Sequence, residues 1–236
     1  WAGNPKRISA TGHVQRAVPK PRLCDCGAWT SIVLCNQTNS HSKQNHVRPM
    51  SHSRDRNVKG TPVVTVRTAP RDRCRAIVSI GGIRVPAALG RSGTSAFKRE
   101  GDGATPIGIW PLREVFYRAD RLDAPKTDLP ITPIHPENGW CDAPEDPAYN
   151  RPVKLPYPAS AEKLWREDGL YDIVVVLGYN DEPPVPGKGS AIFFHLAREE
   201  EDGGYGPTEG CVAVSRADML KLLQLCGPDS QMRIGI

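Results

Sequence analysis

A mainly β, β-rich α+β domain with a few short helices is predicted for residues 61–236 on three features. Short runs rich in β-branched residues recur from Val63 onward. Glycine and proline punctuate them at turn spacing. Strands are not followed regularly by helical periods, which argues against alternating βαβ units.

Taken in order, VVTVRT (63–68) and RAIVSI (75–80) read as strands. Gly81-Gly82 then leads into IRVPAAL, a hairpin signal. GDGATPIGIW (101–110) is rich in turn residues and runs into a further strand, PLREVFYR. Residues 120–158 carry many prolines and read as a long irregular excursion, a feature often tied to function in a compact domain. Ser160 is placed to cap a short helix over AEKLWRE. YDIVVVLGYN and SAIFFHLA are apolar runs of strand length and read as central strands. Ser215 and Asp218 resemble a capping box. Met219, Leu222, Leu223 and Cys226 follow at helical spacing, and Gly227-Pro228 stops the helix. MRIGI reads as a final strand.

The 236 residues carry a formal charge of +5, unevenly spread. Residues 1–60 hold ten Lys/Arg against two Asp/Glu, and residues 61–236 hold 21 against 24. The basic excess therefore belongs to the first segment, and the folded part has no nucleic-acid footprint. Residues 1–60 are expected to be a disordered basic tail, because their composition cannot bury enough apolar surface. Met50 opens MSHSRDRNVKG like a natural start, so residues 1–49 are either translated upstream sequence or a genuine basic tail. No secretory signal is visible after Trp1 or Met50. No stretch approaches the length of a transmembrane helix. Seven cysteines at irregular spacing argue against a complete disulfide framework. Cys24 and Cys26 with His13 or His41 are poorly spaced for structural zinc, and no metal site is expected.

The chemistry-bearing stretch is FFHLAREEEDGGYGPTEGCVAVS (193–215). His195 lies near the end of a strand, and fifteen residues separate it from Cys211. A loop of that size can bring the chain back beside the strand it left. An imidazole within reach of a thiol can take its proton and return it to a leaving amine. Gly210 lets backbone N–H groups approach a substrate carbonyl as an oxyanion site. The plainer alternatives are a buried Cys211 acting as a small hydrophobe and a satisfied core His195.

This stretch resembles the signature of L,D-transpeptidase catalytic domains, the YkuD-like family: a His, a loop, then Ser/Thr-His-Gly-Cys and a hydrophobic residue. Thr105, Pro106 and Gly108 resemble the family's upstream Thr-Pro-x-Gly segment. The resemblance spans roughly Pro62 to Ile236. It implies the family's β-sandwich, with Cys211 as nucleophile, His195 as base, Gly210 in the oxyanion site and Thr208 shaping the loop. Glu209 replaces the usual His, Ala213 stands where Asn or Arg is usual, and the His-to-Cys loop is slightly short.

The implied activity is acyl transfer on peptidoglycan stem peptides through a thioester, in cell-wall cross-linking or remodelling, with no cofactor. Carbapenems are the implied inhibitors, and the cell envelope or periplasm the implied location. The first alternative is a cysteine hydrolase of the same family, cleaving peptidoglycan or its links to lipoprotein. Product analysis separates the two. The second is a non-catalytic wall-binding domain, for which a buried, inert Cys211 would react slowly with a thiol reagent near pH 7.

Overall fold

The computed structural model of the chain describes residues 62–201 and 203–235. The expectations for the basic tail and its cysteines lie outside these residues. In chain order the strands are β1 (Val63–Ala69), β2 (Asp72–Ile80), β3 (Ile83–Ala88), β4 (Thr94–Ser95), β5 (Thr105–Pro106), β6 (Gly108–Tyr117) and β7 (Ile131–Pro133). They continue with β8 (Asn138–Cys141), β9 (Pro152–Lys154), β10 (Ala161–Lys163), β11 (Ile173–Leu177), β12 (Phe193–Leu196) and β13 (Val212–Val214). Helix α1 (Arg216–Leu223) and β14 (Gln231–Ile234) complete the described elements.

The β2–β3 hairpin turns at Gly81 and Gly82, whose φ angles of +55° and +85° suit the primed turn that matches strand twist. The large sheet runs β11-β12-β13-β3-β2-β1-β14-β6-β7, and β6 also pairs with β11. That extra pairing closes the sheet on itself. β6 can serve both partners because Gly108–Pro111 pairs with β14 while Leu112–Tyr117 pairs with β11. Alternate residues of the closed circuit point inward. Val64, Val78, Leu112, Val175, Phe194, Val212 and Met232 meet there in one apolar core. Met219, Leu222 and Leu223 of α1 join the same core and are fully buried. Ser215 caps α1, its hydroxyl accepting from the Asp218 N–H at 3.1 Å.

Every residue of β11 and β12 is buried, because both faces are covered. Ile173, Val175 and Phe194 face the main core, while Val174, Val176 and Phe193 face a second cluster with Ile134, Trp140, Leu164 and Tyr171. The excursion after β6 supplies that covering layer, including the small sheet β10-β8-β9. The expected helix after Ser160 does not form: Ala161–Lys163 is β10, paired antiparallel with Gly139–Cys141 of β8. Tertiary pairing overrides the local helical signal here. Among the described residues the few expected helices reduce to α1.

The ends of the excursion are tied together. The buried Arg118 grips Asp120 at 2.8 Å and lies 3.5 Å over the Trp165 ring. The buried Asp172 carboxylate accepts from Arg121 at 2.9 Å and from Arg216 at the start of α1.

Candidate active site

β12 and β13 run parallel and adjacent, with Phe194 opposite Val212 and His195 opposite Ala213. Cys211 immediately precedes β13 and faces the second cluster beside Phe193. The alternation that sends Phe194 and Val212 to the main core sends His195 and Cys211 to the other face. The sequence expectation that the loop returns the chain beside its own strand thus describes the geometry. Cys211 and His195 both line one cavity of about 470 Å³. They are 7% and 6% exposed, so small-molecule access runs through that cavity.

At rest the two side chains have other partners. The Cys211 thiol donates to the Ala191 carbonyl at 3.4 Å and receives the Phe193 N–H at 3.4 Å. His195 Nδ1 lies 2.9 Å from the Leu196 carbonyl oxygen. A carbonyl only accepts, so Nδ1 carries the proton and Nε2 holds the lone pair. The Tyr171 ring meets the imidazole edge-on at 5.1 Å and fixes its plane.

Burial, with Glu162 acting in the same direction and the Phe193 N–H, Lys98 and Arg166 against it, pushes the Cys211 thiol up to about 12. Burial also pushes His195 down to about 4. The resting pair is therefore a neutral thiol and a neutral imidazole at physiological pH. Burial raises the Glu162 carboxyl, against a hydrogen bond from the Tyr171 hydroxyl. The acid that acts on the thiol is Glu162. Glu209, which the sequence places next to the Gly-Cys step, turns its carboxylate to Arg91 at 2.7 Å.

Thr208 braces the nucleophile loop. Its N–H donates to the Leu89 carbonyl and its carbonyl accepts from Arg91. Its hydroxyl accepts the Gly210 N–H at 3.2 Å and donates to the Cys211 carbonyl at 2.8 Å. Gly210 adopts φ +137°, and a Cβ there would stand 2.9 Å from the Ala104 carbonyl oxygen. Its N–H is already used, so the expected oxyanion donors narrow to the Cys211 N–H. Among the hydrogen bonds of the described residues, that N–H has no partner.

Further residues brace the site: Thr105 belongs to the upstream segment marked in the sequence, whereas Asn150 and Ala191 carried no recognisable signal there. Thr105 Oγ1 accepts the Gly90 N–H at 2.8 Å and donates to the Cys211 carbonyl at 3.3 Å. Asn150, with φ +56°, is buried and fully engaged. Its amide donates to the Tyr179 and Asn180 carbonyls, and its oxygen accepts from Trp140 Nε1 and from the Ala191 N–H. Ala191, held at φ +51°, presents the carbonyl that meets Cys211. The cavity wall also carries carboxylates at Glu100, Asp142 and Glu162 and cations at Lys98, Arg166 and Arg198. Among the described residues, no three His, Cys, Asp or Glu side chains converge to hold a metal ion.

A buried thiol and a tautomer-fixed imidazole thus share one cavity on a closed β-sheet. The L,D-transpeptidase catalytic domain family, YkuD, matches residues 61–234, and the chain belongs to that family. Among solved structures, an L,D-transpeptidase from Mycobacterium smegmatis is similar at 14% identity and a TM-score of 0.34. The alignment covers 75% of this chain and 58% of that one, so the chain spans less than two thirds of its length. No match is found among curated protein sequences.

Proposed function

We propose that the chain is a cysteine acyltransferase acting on peptidoglycan stem peptides in the cell envelope. The observation that carries this is that Cys211 and a Nδ1-protonated His195 line one cavity, inside a domain of this family. The mixed lining of that cavity suits a peptide bearing both amines and carboxylates.

In this reading Cys211 sulfur leaves the Ala191 carbonyl and attacks the carbonyl carbon of the third, diamino-acid residue of a tetrapeptide donor. Its proton passes to His195 Nε2. The Cys211 N–H faces the developing oxyanion. Collapse breaks the peptide bond, and the departing D-alanine amine takes the proton from Nε2. The thioester remains on Cys211. An amine of a second stem peptide then attacks it, gives its proton to Nε2, and forms the new amide. That proton returns to sulfur as the thiolate leaves.

The test is intact-mass analysis of the protein with a tetrapeptide donor, followed by product analysis after an amine acceptor is added. The expected results are a thioester on Cys211 that is lost in Cys211→Ser, and cross-linked dimers. Trimmed peptides alone would identify a hydrolase instead. No adduct on a folded chain would overturn the reading.

A further inference from the structure

We propose that the outward face of β3, β2, β1 and β14 docks on an anionic phospholipid bilayer. The face is defined by the strand register. Ser79 is paired with Arg84 on one side and Thr65 on the other, and Thr65 is paired with Arg233. Arg233 is in turn opposite Ile109 of β6. Two residues along β2, Ile77 is opposite Arg67. The neighbours of these residues along each strand, Val64, Val66, Val78, Val85, Met232 and Ile234, are buried in the core. The register therefore gathers Arg67, Arg84 and Arg233 on a single sheet surface, and all three are exposed.

This surface is segregated in charge. Residues 61–236 carry more acids than bases, yet β1, β3 and β14 contain no Asp or Glu. The acid in β2, Asp72, stands at the far end of that strand and faces Arg75 at 3.4 Å. Among the described residues, Arg67, Arg84 and Arg233 have no ion-pair partner. An array of unneutralised guanidinium groups favours phosphate, which accepts their paired N–H donors.

Two further observations select a bilayer over another polyanion. Ile77 and Ile109 are 37% and 42% exposed amid the arginines. Apolar side chains gain nothing against a phosphodiester polymer, but they are favoured at the headgroup boundary of a membrane. The sequence that precedes β1 is also basic. Residues 50–60 hold Arg54, Arg56 and Lys59 against Asp55, and β1 begins at Val63 beside Arg67 and Arg84 in a shallow groove. That stretch has the sign of the face. No described helix is long and apolar enough to cross a membrane. The surface is separate in sequence and in residues from the cavity of Cys211, and the inference does not depend on the proposed chemistry.

The experiment is co-sedimentation of the full chain with phosphatidylcholine vesicles, with and without a minority of phosphatidylglycerol, at physiological ionic strength. Binding is expected only with phosphatidylglycerol. The triple variant Arg67→Gln/Arg84→Gln/Arg233→Gln should lower the partition coefficient roughly 100-fold, from three juxtamembrane cations. The triple Arg→Lys variant should retain most of the binding, and Ile77→Ser should weaken it without removing the salt dependence. Circular dichroism checks that each variant is folded. Wild-type failure to bind, unchanged binding by the triple Gln variant, or tighter and Ile77-independent binding to duplex DNA would each overturn the proposal.

Discussion

The proposed acyl transfer predicts that a carbapenem acylates Cys211, and the pH dependence of that step distinguishes a working pair from ordinary thiol reactivity. A free thiol has a pKa of about 8.5, so its thiolate rises nearly tenfold per pH unit below that value. Between about pH 6 and pH 8 its rate should climb roughly 100-fold. In this cavity the thiol is pushed up to about 12 and the imidazole down to about 4. Both stay neutral across that interval, with only about 1% of His195 protonated at pH 6. A rate set by the neutral pair should change less than about twofold there, and should fall to half near pH 4. Intact mass at timed points gives the rate, and peptide mapping locates the adduct. A tenfold rise per unit, or an adduct that forms on Cys211 at an unchanged rate in His195→Ala, would refute the pair. Simple alkylation does not serve as the assay. With a pKa of about 12, roughly one thiol in 100,000 is ionised near pH 7. Slow reaction with iodoacetamide is thus expected of a buried Cys211 whether or not it is catalytic.

Gly210→Ala should cost about 1–3 kcal/mol from its φ of +137° and abolish acylation, because the loop must also move from Ala104. Thermal unfolding and intact mass check both effects, and an active, stable variant would remove the argument for this glycine. Asn150→Ala should cost roughly 3 kcal/mol by losing four hydrogen bonds, and should slow acylation by freeing Ala191. Asn150→Asp keeps the two accepted bonds, so it should restore acylation more than stability. Equal loss of acylation in both variants would argue against positioning through Ala191. His195 has a folded pKa below its unfolded value, so its stabilisation is present above about pH 6.5 and is lost as pH falls toward 4. Denaturant unfolding should show about 2 kcal/mol lost between pH 7 and pH 5 on this account. The loss should be absent in His195→Gln, and an equal slope in that variant would contradict it.

What was legible in the sequence was what local chemistry determines. The Gly81-Gly82 turn, the Ser215 cap and the two-sided burial of β11 each follow from a few adjacent residues. The failed expectation at Ser160 shows the limit. AEKLWRE has helical composition, but its partner strand β8 lies some twenty residues upstream and no local period announces it. Sheet closure through β6 was equally hidden, since it depends on one strand changing partner at Leu112. At the site, residue type and order left Cys211 and His195 open to plainer readings, and it was the resemblance to the family's signature that pointed to them; the structure sets both on one cavity wall. Asn150, in the excursion, and Glu162, in β10 just after it, could not be picked out, because each matters only through contacts across the fold.

The pairing of Gly210 with Cys211 has its explanation in the upstream GATP segment. The Ala104 carbonyl presses against the place a Cβ would occupy at residue 210, and the next residue, Thr105, reaches the Cys211 carbonyl. Two stretches a hundred residues apart therefore constrain the same backbone. Thr208 holds that backbone from the other side through the Gly210 N–H and the Cys211 carbonyl. With those groups engaged, the Cys211 N–H is left without a partner among the described residues, as the proposed oxyanion role requires. A glycine precedes the cysteine because a side chain there would displace Ala104 and with it the Thr105 anchor. The same crowding predicts an order of sensitivity. Thr105→Val, which keeps the shape and removes the hydroxyl, should cost acylation before it costs fold, since Thr208 still holds the Cys211 carbonyl. Loss of the fold at Thr105→Val with acylation unchanged in the surviving protein would mean that the anchor serves stability alone.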